Sequence, residues 1–169
     1  WGDDTNGHLG NDSTYAGSTT PVAVNTSGVM SGKTIVGTMS GTNHTCVLAS
    51  DSTAFCWGEG SGGQLGNNAT PANSPVPVQV YASGAISGKT LTRISAGNGR
   101  SCLIDSNRDA YCWGLNPVGD GSGTAKAAPT KVTGASTLNG MKIVQVVHSS
   151  SGSCFLTAAN KVYCAASGA

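Results

Sequence analysis

Short runs of apolar and β-branched residues recur along the chain, each bounded by glycine, serine, asparagine or proline. Residues 45–48 and 54–57, 101–104 and 110–113, and 153–156 and 161–164 form three pairs of such runs. The members of each pair are separated by turn-forming side chains, as in Asp105-Ser106-Asn107-Arg108-Asp109, which is the pattern of a β-hairpin. Further strands are expected at 77–80 and at 91–95, which is rich in β-branched residues. No window places apolar residues at i, i+3, i+4 and i+7 over three turns, so sustained helices are not expected.

The pattern is periodic. Trp1-Gly2, Trp57-Gly58 and Trp113-Gly114 lie 56 residues apart, and Gly7-His8-Leu9-Gly10-Asn11 returns as Gly63-Gln64-Leu65-Gly66-Asn67 at the same offset. Pro21-x-x-Val24, Pro77-x-x-Val80 and Pro129-x-x-Val132 follow, the last after 52 residues because the third unit is four residues shorter. Ser31-Gly32-Lys33-Thr34 matches Ser87-Gly88-Lys89-Thr90 and then Asn139-Gly140-Met141-Lys142. Shared offsets at independent markers define repeat units 1–56, 57–112 and 113–164 with a tail at 165–169. Ala165-Ala166 stands where a further Trp-Gly would fall, as in a degenerate terminal repeat.

Each unit also carries a cysteine pair, Cys46 with Cys56, Cys102 with Cys112, and Cys154 with Cys164. Pairing Ile104 with Ala110 sets Leu103 opposite Tyr111 and Cys102 opposite Cys112. Facing residues of an antiparallel non-hydrogen-bonded pair lie about 4.5–5.5 Å apart at Cα, within the reach of a disulfide. Nine intervening residues are too many for a zinc Cys-x2–4-Cys knuckle, and no redox Cys-x-x-Cys is present. Three cross-strand disulfides are expected, and with them an oxidising, extracellular setting.

About four strands per unit of some fifty residues is the arithmetic of a β-propeller blade. Gly41-x-x-His44-Thr45-Cys46-x-Leu48, Phe55-Cys56-Trp57-Gly58 and Gly63-Gln64-Leu65-Gly66 resemble the regulator-of-chromosome-condensation repeat, in the cysteine-paired form of extracellular bacterial members. The resemblance covers the chain and weakens in the third unit, where Gly119-Asp120-Gly121-Ser122 replaces the Gly-Gln-Leu-Gly run. It implies an all-β fold of about three four-stranded antiparallel blades, part of a seven-bladed ring or completed by assembly. It implies that Trp1, Trp57, Trp113, Gly58, Gly114 and His44 are scaffold residues, with function in loops that differ between members. Family members include a nuclear exchange factor, a secreted β-lactamase inhibitor and bacterial surface proteins. Three blades leave edges and apolar faces open, and the chain begins at Trp1, so a longer parent chain or self-assembly is expected.

Composition narrows the function. Glycine supplies 25 of 169 residues and aromatics only 5%, which suits many tight turns; the regular spacing argues against disorder. Lysine and arginine total 9 against 8 acidic residues, which gives neither the basic face nucleic acid requires nor a polybasic membrane segment. The longest apolar stretch, Ile143-Val144 with Val146-Val147, is far too short to span a bilayer.

Candidate chemistry is sparse. Gly84-Ala85-Ile86-Ser87-Gly88-Lys89-Thr90 looks like a phosphate loop but is one residue short between its glycines and is followed by a strand pattern. His8, His44 and His148 occupy different repeat positions; His44 aligns with Arg100 and Gly152. No nucleophile elbow accompanies them. The acidic residues, among them Asp3 and the aligned Glu59, read as loop charges, and no calcium loop is present. Asn11, Asn25, Asn43 and Asn68 head N-glycosylation patterns in a chain where these arise easily by chance. Repetition assigns Trp1, Trp57 and Trp113 to core packing. Tyr15, Tyr81 and Arg100 break the repeat and are the candidate surface-binding residues.

The sequence therefore points to a non-enzymatic extracellular propeller module serving adhesion, surface display or filament assembly. Its partner is expected to be a protein, a cell-surface glycan or another copy, and no catalytic, metal or cofactor residue is assigned. The second reading is a secreted inhibitor that blocks an enzyme through its loops. A polysaccharide-cleaving enzyme has no supporting constellation.

Overall fold

The computed structural model describes residues 1–13, 16–69, 72–134 and 137–166. The first sheet is built from β1 (Ile35–Ser40), β2 (His44–Ala49), β3 (Ala54–Gly58) and β4 (Ser74–Gln79) in that spatial order. The second repeats it with β5 (Leu91–Ala96), β6 (Arg100–Asp105), β7 (Ala110–Gly114) and β8 (Lys126–Lys131). The third has β9 (Ile143–His148), β10 (Gly152–Thr157) and β11 (Val162–Ala166) among the described residues. All neighbouring strands are antiparallel. The fold is all-β, three blades of a propeller.

The expected hairpins form in the expected register. Ile104 faces Ala110, Leu103 faces Tyr111 and Cys102 faces Cys112. Cys46 faces Cys56 and Cys154 faces Cys164 in the same way. All three pairs are disulfides, with Cα atoms 4.1, 4.1 and 4.0 Å apart. Each hairpin turn places one residue in the left-handed region at the same repeat position: Ser52, Arg108 and Asn160, with φ of 66, 62 and 57°. Asparagine tolerates that conformation; serine and arginine enter it at some cost.

The partition of strands differs from the reading along the sequence. The strand expected at 77–80 is β4, which runs Ser74–Gln79 and closes the sheet of the preceding hairpin through Cys56↔Val78 and Gly58↔Ser74. Each four-stranded sheet thus takes three strands up to the cysteine of one Trp-Gly unit and its fourth from the next. The sequence marker sits in the third strand, not at a sheet boundary. Pro75 and Pro77 fall within β4, an edge strand, where a missing N–H is tolerated. The bridge Gly2↔Ser18 sits at the repeat position of Gly58↔Ser74.

Strand alternation assigns each face to a neighbour. In the first hairpin Cys46, Leu48, Ala54 and Cys56 point to one side and pack with Leu103, Tyr111 and Trp113 of the second sheet. Val47, Ala49, Phe55 and Trp57 point to the other and pack with Met30. In the second hairpin Cys102, Ile104, Ala110 and Cys112 face Val146 and Phe155 of the third sheet. Both faces of β6 and β7 are therefore covered, and every residue of both strands is buried. The sheets meet through β1, β2, β5, β6 and β9, so the blades fan out from their first strands.

Candidate functional site

The residues that join one sheet to the next form a repeated polar latch. Trp57 and Trp113 end their hairpins, and each indole N–H donates to a backbone carbonyl of the loop before it. Trp57 Nε1 reaches His8 O at 3.0 Å and Trp113 Nε1 reaches Gln64 O at 2.8 Å. The loops are held in shape by equivalent bonds, Gly10 N to Gly7 O and Gly66 N to Gly63 O at 3.1 and 3.0 Å. Gly10 and Gly66 have φ of 68 and 67°, and a Cβ on either would stand 2.4 Å from the indole nitrogen. Glycine is required there for the ring to lie on the backbone. Leu9 and Leu65, one residue earlier, are buried beside it.

Between the first and second sheets the latch extends to a histidine. Ser101 Oγ donates to Gln64 O at 3.1 Å and stands 2.8 Å from His44 Nε2. The hydroxyl proton is committed to the carbonyl, so the imidazole donates from Nε2. Burial, partly offset by Glu59, pushes His44 down to about 4, so the ring is neutral at neutral pH. His148 plays a related part between the second and third sheets, with Nε2 3.2 Å from Ser95 Oγ and Nδ1 2.9 Å from Ser153 Oγ. Burial, with the charge of Arg100 and then of His44, also lowers it to about 4. Tyr111 donates to Asp105 at 3.3 Å, and burial together with that carboxylate raises the phenol to about 12.

The residues singled out from the sequence fall into three groups. Trp57, Trp113 and His44 are buried scaffold groups, and Gly58 and Gly114 have φ of 98 and 99° at the end of the third strand. Trp1 departs from its expected core role. It is 74% exposed among the described residues.

Arg100 is not a surface group: it is 3% exposed. It sits at the start of β6, where His44 sits in β2, and donates from Nη1 to Asn98 O and Ser149 O at 3.1 and 3.5 Å and from Nη2 to Asn116 O at 2.6 Å. It ties the second sheet to a loop of the third. Tyr81 is half-buried and its N–H donates to Gly66 O at 2.9 Å. Tyr15 lies outside the described residues. The glycine-rich stretch 84–90 is a pair of turns, Ser87 N to Gly84 O and Lys89 N to Ile86 O, leading into β5.

Sequence reasoning missed the serine at the centre of the latch, although hydroxyls at the aligned positions Thr45, Ser101 and Ser153 marked it. It also missed what the third unit does with its missing tryptophan. Gly119 O accepts from Thr133 N, as Gly66 O accepts from Tyr81 N and Gly10 O from Asn25 N. Pro117 therefore occupies the position of Gln64 and His8, and Val118 that of Leu65. Across from it stands Ala165, and a cleft of about 390 Å³ opens between them, lined by Pro117, Gly119, Leu138, Tyr163 and Ala165 among others.

Residues 51–104 and again 91–120 match the regulator of chromosome condensation (RCC1) repeat. Residues 51–120 are built of RCC1-type repeats. Human E3 ubiquitin-protein ligase HERC2 is 32% identical over 108 residues, 62% of this chain and 2% of that protein. Human probable E3 ubiquitin-protein ligase HERC6 is 26% identical over 152 residues, 90% of this chain and 14% of that protein. Human WBSCR16 superposes with a TM-score of 0.80 at 17% identity, covering 98% of this chain and 41% of that one. Yeast RCC1 (Prp20), in complex with Kap60, gives 0.65 at 23% identity, over 79% and 32%. The structural likenesses speak for the fold, and the chain spans a small part of the curated relatives it matches. In the RCC1 repeats of this chain the latch is an assembly device: it joins blades through backbone carbonyls and neutral side chains.

Proposed function

We propose that this chain is a non-enzymatic β-propeller module that acts outside the cell, in adhesion, surface display or assembly, by binding a protein partner through its loops. The observation that carries the reading is the disulfide at one register in each of three sheets. Such bonds persist in oxidising surroundings and are reduced in the cytosol. The groups best suited to chemistry are occupied in holding blades together: His44 and His148 by serines, and Arg100 by three carbonyls. Protein binding has precedent in the fold, since yeast RCC1 (Prp20) is found bound to Kap60 and has binding properties towards Gsp1p and histones. A formal net charge of +1 gives no attraction to nucleic acid.

The test uses the protein from its native source. Intact cells are labelled with a membrane-impermeant biotin reagent, and the recovered protein is alkylated after denaturation without reductant. Labelling on intact cells with no alkylated cysteine is expected. Six alkylated cysteines, or labelling only after lysis, sinks the extracellular reading.

A further inference from the structure

We propose that the cleft beside Ala165 is a binding site for an aromatic side chain, a tryptophan of a protein partner, seated as Trp57 and Trp113 are seated within this chain. Among the described residues the molecule supplies two copies of the site filled by an indole and one, partly closed by Phe155, in which alanine stands at the tryptophan position. In the filled copies an indole enters from the third strand, lies against a glycine of the preceding loop and donates to the carbonyl two residues before that glycine. In the third copy Gly119 supplies the glycine, Pro117 the carbonyl position and Val118 the buried neighbour, while the third strand offers only Ala165. Phe155, larger than Leu103 and Val47 at the same repeat position, reaches over Gly119 and closes part of the space. It leaves the cleft of about 390 Å³, walled by Leu138, Tyr163 and three further glycines.

The site continues an interface that the chain has already built twice, and that continuity identifies the occupant. A tryptophan matches a cleft lined by glycines and by the apolar side chains of Pro117, Leu138 and Tyr163, beside the ring of Phe155 that covers Gly119, because it carries a large ring with a single N–H donor. Tryptophan is also the side chain most enriched at interface hot spots. The proposal deepens the reading of the chain as an interaction module by naming the partner's chemistry, and it holds or fails on this cleft, whatever compartment the protein occupies.

The experiment titrates the full, 15N-labelled chain with N-acetyl-tryptophanamide and, separately, with N-acetyl-leucinamide, following amide shifts. The tryptophan probe is expected to saturate with a midpoint of about 0.1–1 mM, moving Val118, Gly119, Tyr163 and Ala165, while the leucine probe binds at least tenfold more weakly. The double variant A165W/A166G restores the Trp-Gly of the other repeats; it is expected to fill the cleft and abolish probe binding. If it fails to fold, A165L is the substitute that narrows the same space. Absence of saturable shifts overturns the proposal, as does equal binding of the leucine probe or unchanged binding to a folded variant. Shifts at these residues that grow with protein concentration and vanish in W1A would assign the cleft to a second copy and overturn it too. So would occupation of the cleft in the free protein by residues 167–169.

Discussion

The hairpins β6–β7 and β10–β11 share a register, a disulfide and a left-handed turn residue, yet one is buried throughout and the other is not. β7 reads Ala-Tyr-Cys-Trp-Gly and is fully buried; β11 reads Val-Tyr-Cys-Ala-Ala, with Val162, Cys164 and Ala166 less buried than their counterparts. The features they share are local, set within about a dozen residues by turn chemistry and cross-strand pairing. The features that separate them are non-local. On one face Cys102, Ile104, Ala110 and Cys112 pack on Val146 and Phe155 of the third sheet, while the same face of β10 and β11 meets no sheet among the described residues. On the other face Trp113 meets a carbonyl 49 residues away, and Ala165 meets a cleft. A hairpin of this kind is complete in itself, whereas its place in the array depends on the sheet against each face and, on one face, on a single ring.

Removing that ring is the sharpest way to break the contrast. Trp113→Ala should destabilise the chain by about 3–5 kcal/mol through the lost burial and the cavity, and should leave Gln64 O without its indole. Trp1→Ala, at an exposed ring, should stay within about 0.5 kcal/mol. Urea unfolding followed by circular dichroism measures both. If the two variants lose equally, the latch is not what sets the second sheet apart.

The disulfides test the opposite claim, that the hairpins are equivalent. Replacing both cysteines of a pair by alanine should cost about 3 kcal/mol whether the pair is Cys102–Cys112 or Cys154–Cys164, since each closes a loop of the same length. Thermal unfolding of the two double variants should give matching losses, and a much smaller loss for the third sheet would show that its hairpin is held less firmly than its register implies.

Acid should act on the junctions before the hairpins. His44 titrates near 4 in the folded chain and near 6.5 when unfolded. Above pH 6.5 both states are neutral and the junction keeps its full stability. As pH falls from 6.5 to 4 the unfolded state takes up a proton that the folded state refuses, and stability drops, by up to about 3 kcal/mol. His148 adds a loss over the same window. His44→Gln should flatten that part of the pH profile, measured as the urea midpoint against pH; an unchanged profile would place the sensitivity elsewhere.

The smallest effect concerns the turn. Arg108 holds φ of 62° where the third hairpin has asparagine, so Arg108→Asn should stabilise by about 0.5–1 kcal/mol. A loss in calorimetry would mean that the arginine side chain does more at that turn than the backbone suggests.

These differences follow the range over which each feature is encoded. The cysteine pairs were legible because a nine-residue spacing and a turn fix the register. The repeat was legible because it is written three times. Arg100 was misread because its departure from His44 in the alignment looked like a surface exception. Both residues occupy the buried mouth of a hairpin, where a neighbouring sheet supplies acceptors at a sequence distance of 49 or 57. The cleft was announced only by Ala165-Ala166, a change that looked like decay of the pattern until the third sheet had a neighbour to stand against.

Because each complete sheet is stitched from two successive repeats, the chain carries its own splice points. Cutting out residues 57–112 would join Cys56 to Trp113, so β1, β2 and the hairpin with its disulfide would run straight into β8 as their fourth strand. The outer strand that a sheet receives is interchangeable, since Gly58↔Ser74 and Gly114↔Lys126 are the same pairing. Unequal crossing-over between such repeats adds or deletes a whole blade while leaving every surviving sheet closed, so a gene of this design can change the length of its array one blade at a time.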